Sequence, residues 1–230
     1  KWYVVYGTSS GFPASFNLSS LDGSNGFEVI GSDLATAAPV GDINGDGFDD
    51  IAIDYPWAND SRGRTYVIFG RARHFPASFN IKMLLPQNGG DGTKGLVLNG
   101  IAVWDWSGWP APAGDVNGDG FADMIVGGVW ADANGVDSGE CYLVFGKSHF
   151  EPILELSSLD GVNGSWSGKR PAPAHHTAPC GCNQRRDGGD LSTRLRHGAL
   201  SVLLSMVAHV GVPGHRLTAH ERWSGPALRD

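Results

Sequence analysis

Residues 114–123 read Gly114-Asp115-Val116-Asn117-Gly118-Asp119-Gly120-Phe121-Ala122-Asp123 and run directly into Met124-Ile125-Val126-Gly127. An earlier copy reads Gly41-Asp42-Ile43-Asn44-Gly45-Asp46-Gly47-Phe48-Asp49-Asp50, followed by Ile51-Ala52-Ile53. Counted from the first aspartate, side-chain oxygens fall at positions 1, 3, 5 and 9. These are Asp42, Asn44, Asp46 and Asp50 in one loop, and Asp115, Asn117, Asp119 and Asp123 in the other. Position 6 is glycine in both, which admits the positive φ of a sharp turn. Position 7, Phe48 or Phe121, can offer only its backbone carbonyl. Several carboxylates, an amide and a carbonyl around a tight turn suit a hard cation of flexible geometry, so the pattern predicts two calcium sites rather than zinc or copper. Without a cation, three carboxylates within nine residues repel one another. A single Asp/Asn/Gly-rich turn is common on protein surfaces. Two copies with matched ligand positions are far less so.

The opening Asp-x-Asn-x-Asp-Gly is shared with EF-hand and dockerin loops. An EF-hand requires an acidic ligand at position 12 and continues into a helix. Position 12 here is Ile53 or Val126, and the following runs, 51–53 and 124–126, are short and apolar, as buried strands are. The cation is therefore expected in a β-hairpin connection. Phe69-Gly70 and Phe145-Gly146 each close a further strand-like run, and Tyr6-Gly7 is a variant of the pair. With the loops, these pairs make the sequence resemble the FG-GAP repeats of integrin α-subunit-like β-propellers. Asp54-Tyr55-Pro56 and Gly127-Gly128-Val129 stand where that family has Gly-Ala-Pro. The resemblance implies an all-β fold, a partial β-propeller built from FG-GAP blades, located outside the cell or at its surface. It implies a calcium-binding scaffold for adhesion or ligand binding, with the partner on the loop face away from the calcium hairpins. It also implies no catalytic activity. The rival readings are the non-catalytic propeller part of a secreted phospholipase-type hydrolase and a carbohydrate-binding propeller.

Repetition organises residues 1–165. Residues 18–26 recur at 156–164 with a single difference, and residues 12–17 recur at 75–80. The loops lie 73 residues apart, a period that suits a four-stranded blade. This predicts the end of one blade, two recognisable blades, and the opening of another after residue 156. Thirty-four glycines and 13 prolines agree with many turns and short strands. The chain begins as if in mid-strand, and it contains neither a secretory leader nor an apolar run long enough to span a bilayer.

The composition changes at residue 166. Residues 1–165 hold 20 acidic and 8 basic side chains, net −12, whereas residues 166–230 hold 4 and 9, net +5, with six of the eight histidines. Where a third calcium loop is due, near position 180, the chain reads Pro179-Cys180-Gly181-Cys182. The segment 166–230 is expected to be an irregular non-repeat tail, either a product of translation out of frame or an appended basic segment. His175, His176, Cys180 and Cys182 do not have the spacing of a structural zinc site. Cys141, alone among the repeats, implies no disulfide framework and is expected to be a small buried side chain.

Trp57 and Trp130 occupy equivalent positions after the two loops, which predicts a repeated packing role. Trp104, Trp106 and Trp109 have no counterpart in the first copy. Packing is the default there and contact with a sugar or a protein the alternative. No nucleophile elbow, zinc-protease helix or phosphate loop occurs. The acidic balance argues against nucleic acid, because binding phosphates needs a basic face. The ligand is thus expected to be a protein or a carbohydrate.

Overall fold

In the computed structural model, residues 1–167 are described except for positions 10, 32, 33 and 134. Of the tail expected at 166–230, residues 168–230 lie outside the described residues, and with them His175, His176, Cys180 and Cys182. The strands are β1 (Trp2–Val5), β2 (Gly26–Ile30), β3 (Ala37–Gly41), β4 (Asp50–Tyr55), β5 (Arg64–Ile68), β6 (Ser78–Asn80), β7 (Gly95–Asn99), β8 (Ser107–Gly114), β9 (Asp123–Gly128), β10 (Glu140–Val144), β11 (Ile153–Glu155) and β12 (Gly164–Ser167). They form three sheets, ordered β1-β2-β6, β11-β7-β5-β4-β3 and β12-β10-β9-β8. The fold is all-β and propeller-like. Among the described residues, no helix is long and apolar enough to cross a membrane.

Each middle sheet face is buried because apolar residues point both ways from the strands. Phe27 and Val29 meet Ile53, Tyr66, Ile68 and Val97 between the first and second sheets. Ala52, Val67, Leu96 and Leu98, from the other face of the second sheet, meet Met124, Val126, Tyr142 and Val144 of the third. The alternation along β4 therefore serves two interfaces at once.

The repeated stretch at 156–164 leads into β12, which pairs with β10 at the edge of the third sheet, with Gly164 opposite Val144. Gly26 opposite Val5 and Gly95 opposite Ile68 do the same in the earlier sheets. The physical reason lies in these glycines. Their φ values are 144°, 146° and 150°, and a Cβ would come within 2.2 Å of the Val4 carbonyl, 2.0 Å of Val67 and 2.3 Å of Leu143. The turn motif ends in a glycine because the strand it starts enters against its neighbour's backbone. β12 also carries Trp166 and Ser167, opposite Tyr142 and Cys141, two residues past the expected end of the repeats.

β6 and β11 pair parallel with β2 and β7, so the segment after each Phe-Gly pair returns to the outer edge of the preceding sheet. The repeated stretch at 75–80 marks this strand, but sequence alone does not say which blade it joins. Phe75 stacks on Phe27 at 4.2 Å and 10°, fastening the return.

Candidate metal centre

The two predicted cation loops are the β3–β4 and β8–β9 hairpin connections, as expected. In the first, Asp42 Oδ1 accepts from the N–H groups of Gly45 (2.7 Å) and Asp46 (3.0 Å), and Oδ2 from Gly47 (2.8 Å). Asn44 Oδ1 accepts from Asp46 N–H, Asp46 Oδ1 from Phe48 N–H, and Asn44 Nδ2 donates to Asp46 Oδ2 at 3.0 Å. Asp115, Asn117 and Asp119 make the same bonds to the corresponding groups, with lengths of 2.7–3.1 Å. Gly47 and Gly120 take φ of 89° and 93°, the left-handed turn expected of position 6.

Position 9 has a second role that the sequence did not disclose. Asp50 and Asp123 are fully buried. Asp50 accepts from Ile43 N–H at 2.9 Å and from Gly70 N–H at 2.8 Å. Asp123 accepts from Val116 N–H at 2.7 Å and from Gly146 N–H at 2.9 Å. Gly70 and Gly146 are the glycines of the Phe-Gly pairs. A Cβ at Gly70 would lie 2.5 Å from the Asp49 carbonyl, and one at Gly146 would lie 2.3 Å from that of Ala122. The distant Phe-Gly pair and the loop aspartate are thus one device, an aspartate clasping a backbone that only glycine lets close in.

The donor set fits a calcium ion in type. Each carboxylate oxygen offers about two lone pairs. After the bonds above, Asp42 Oδ2, both oxygens of Asp46 and both of Asp50 retain one each. As they lie, the carboxylates turn onto backbone N–H groups, and among the described residues no three acidic, histidine or cysteine side chains converge on one point. Electrostatics favours a cation. Burial is the main cause that pushes the Asp50 carboxyl up to about 7, the Gly70 and Ile43 N–H groups oppose it, and the charges of Asp46 and Asp42 add to it. The one ion pair among the described residues, Lys1–Glu28, lies far away in sequence from both loops.

A further buried carboxylate was not anticipated. Asp54, at the far end of β4, accepts from the N–H and Oγ1 of Thr36 and from Trp109 N–H of the third sheet at 2.7 Å. Burial raises its pKa, against the hydrogen bonds from Trp109 and Thr36. Gly108 is small because a Cβ there would lie 2.5 Å from Asp54 Oδ2. An aspartate inside an apolar run was the signal available for it.

Trp57 and Trp130 do share a packing partner. Both lie edge-on to Trp106, at 6.0 Å and 6.2 Å. Trp104 does not pack in this way and is 67 % exposed. Cys141 is half-buried and disulfide-bonded rather than a small buried thiol.

Residues 34–68 match the FG-GAP repeat family, a span that covers the first loop, β4 and β5. The chain is 31 % identical to integrin alpha-4 of Xenopus laevis over 113 residues, which is 46 % of this chain and 10 % of that protein. It is 31 % identical to integrin alpha-V of Gallus gallus over 149 residues, 60 % of this chain and 12 % of that protein. The chain thus matches about a tenth of the length of these relatives. With the sheet architecture, these likenesses support an FG-GAP β-propeller-like fold for the described residues, similar to integrin α-chains over the matched stretch.

Proposed function

We propose that this chain is a calcium-binding propeller module that serves as an extracellular or cell-surface scaffold for adhesion or ligand binding, and that it does no chemistry itself. The observation that carries the reading is the bond-for-bond repetition of two acidic hairpin loops to which, among the described residues, no basic side chain is paired. In this reading Asp42, Asn44, Asp46, Asp50 and the Phe48 carbonyl hold one ion, and Asp115, Asn117, Asp119, Asp123 and the Phe121 carbonyl hold the other. The ion supplies the positive charge that three neighbouring carboxylates lack, while Asp50 and Asp123 anchor each loop to its Phe-Gly glycine. The likeness to integrin α-chains supports an adhesion role and a protein or carbohydrate partner, with neither nucleic acid nor membrane insertion involved.

Isothermal titration of the chain with calcium tests this. Two sites are expected, with affinities of about 10⁻⁴–10⁻³ M, in the range of extracellular modules. Asp46→Ala combined with Asp119→Ala should abolish both. Undiminished calcium binding in that double variant would remove the assignment.

A further inference from the structure

Among the connections at the strand ends away from the cation hairpins are those at residues 56–63, 100–106 and 129–139. They differ from one another in length and sequence, yet backbone bonds stitch them together. Trp106 N–H donates to the Ser61 carbonyl (3.0 Å), Gly100 N–H to Gly63 (3.0 Å), and Trp130 N–H to Asp105 (3.2 Å). Across them runs a ladder of aromatic rings, Tyr55–Trp57–Trp106–Trp130, with centroid separations of 6.5, 6.0 and 6.2 Å. Trp57 is 48 % exposed and Trp104 is 67 % exposed, so two indoles face solvent on a surface that holds their loops in place.

Backbone conformation sets this face apart. Among the described residues, the non-glycine positions with positive φ are Asn59, Asp60, Ser61, Trp104, Trp106, Trp109 and Asp137. Six of them lie in these connections and Trp109 lies just inside β8. A bulky side chain in the left-handed region is disfavoured, and such strain concentrates at sites that bind ligands.

Beside the ladder, and sharing its 56–63 connection, planar polar groups form a chain. Arg64 Nε donates to Asn99 Oδ1 at 3.0 Å and its terminal nitrogen to Asn59 Oδ1 at 2.7 Å. Asn59 Nδ2 donates to Asn99 Oδ1 at 3.1 Å, and Asn99 Nδ2 to Glu155 Oε1 at 2.7 Å. Amides, guanidinium and carboxylate each present donors or acceptors in a fixed plane. A pyranose ring has a complementary build, with an apolar C–H face that stacks on an indole and a rim of hydroxyls spaced for planar groups. An apolar peptide would leave this polar chain unmatched, and the net −12 of residues 1–165 disfavours anionic sugars.

We propose that this face binds a neutral pyranose oligosaccharide, stacked on Trp57 and Trp104 and hydrogen-bonded along Asn59, Arg64, Asn99 and Glu155. The proposal rests on the scaffold reading above, whose ligand class it names, and is independent of the calcium ligands. Because the loops are already held by backbone bonds, little ordering opposes binding.

The test titrates the full chain, saturated with calcium, with neutral hexasaccharides of gluco, manno, galacto and N-acetylglucosamine configuration, read by tryptophan fluorescence and calorimetry. Saturable binding of at least one is expected, weakened about tenfold or more, or ~1.4 kcal/mol, by Trp57→Ala and by Trp104→Ala. Asp46→Ala with Asp119→Ala should lose calcium and keep the sugar, so the two readings fail separately. The proposal is overturned if no sugar in the panel binds the folded chain, or if both tryptophan variants bind as tightly as the parent.

Discussion

At one end of the strands, residues 42–50 and 115–123 repeat the same turn, the same hydrogen bonds and the same clasped aspartate. At the other end, residues 56–63, 100–106 and 129–139 share neither length nor composition, although Trp57 and Trp130 occupy matched positions. The two ends also handle left-handed backbone differently. The hairpin end assigns it to glycines such as Gly45, Gly47, Gly118 and Gly120, whereas the other end forces it on asparagine, aspartate, serine and tryptophan. A turn that recurs bond for bond is held by a local requirement that any change would break. A turn that differs in every copy is free of that requirement, and this leaves room for a binding surface.

The clasp gives the sharpest way to break this contrast. In Asp50→Ala, the buried N–H of Ile43 and the part-buried N–H of Gly70 lose their acceptor, and an unsatisfied group of this kind costs about 1–3 kcal/mol. The variant should therefore lose about 2–6 kcal/mol of unfolding free energy, and Asp123→Ala a comparable amount. Denaturant melts of both in calcium-free buffer would show it. If one variant lost stability and the other did not, the two loops would not be mechanically equivalent.

Asp54 gives a smaller, one-sided effect, because the matching position in the second unit is Gly127. Its carboxyl is raised by burial, so the folded state keeps a proton that the unfolded chain releases near its ordinary pKa of about 3.9. A carboxyl of this kind contributes stability below the unfolded pKa, and that contribution fades as pH rises through the folded value. The stability that Asp54 contributes should thus decline as pH rises from about 4, and Asp54→Asn should remove that part of the slope. Melting temperatures across that range, parent against variant, measure it. An unchanged slope would mean that Asp54 is ionised in the fold throughout.

The same contrast explains what could be read in advance. The two matched turns, their hairpin placement and the all-β architecture were legible, because a local turn needs particular residues at fixed spacing and repeats them. The clasp was only half legible. Phe69-Gly70 and Asp50 were each visible as motifs, but their bond spans twenty residues, and only the folded sheet brings them together. The parallel return of β6 and β11 was not legible, since edge pairing depends on which neighbouring sheet lies open. Nor was Asp54, whose partners Thr36 and Trp109 come from opposite sides of β4 in the chain. The tryptophans were visible as residues, but their strained backbone left no trace in composition.

The smallest expected effect tests the backbone contrast itself. Gly47 and Gly120 have open space where a Cβ would stand, so conformation alone decides the effect of Ala there. Left-handed backbone costs an L-residue roughly 1–2 kcal/mol. The less flexible unfolded chain returns about 0.4–1 kcal/mol of that. Gly47→Ala and Gly120→Ala should each therefore destabilise by about 1 kcal/mol. At the other end, Ser61 already sits at φ 64°. Ser61→Gly removes that strain but adds a comparable freedom to the unfolded chain, so the change should stay within about 0.5 kcal/mol. Its carbonyl keeps the bond from Trp106 N–H in either case. Denaturant midpoints for the three variants decide the matter. Neutral glycine variants paired with a strongly stabilised Ser61→Gly would mean that the hairpin turns tolerate side chains and that the opposite loops store far more strain than their dihedral angles imply.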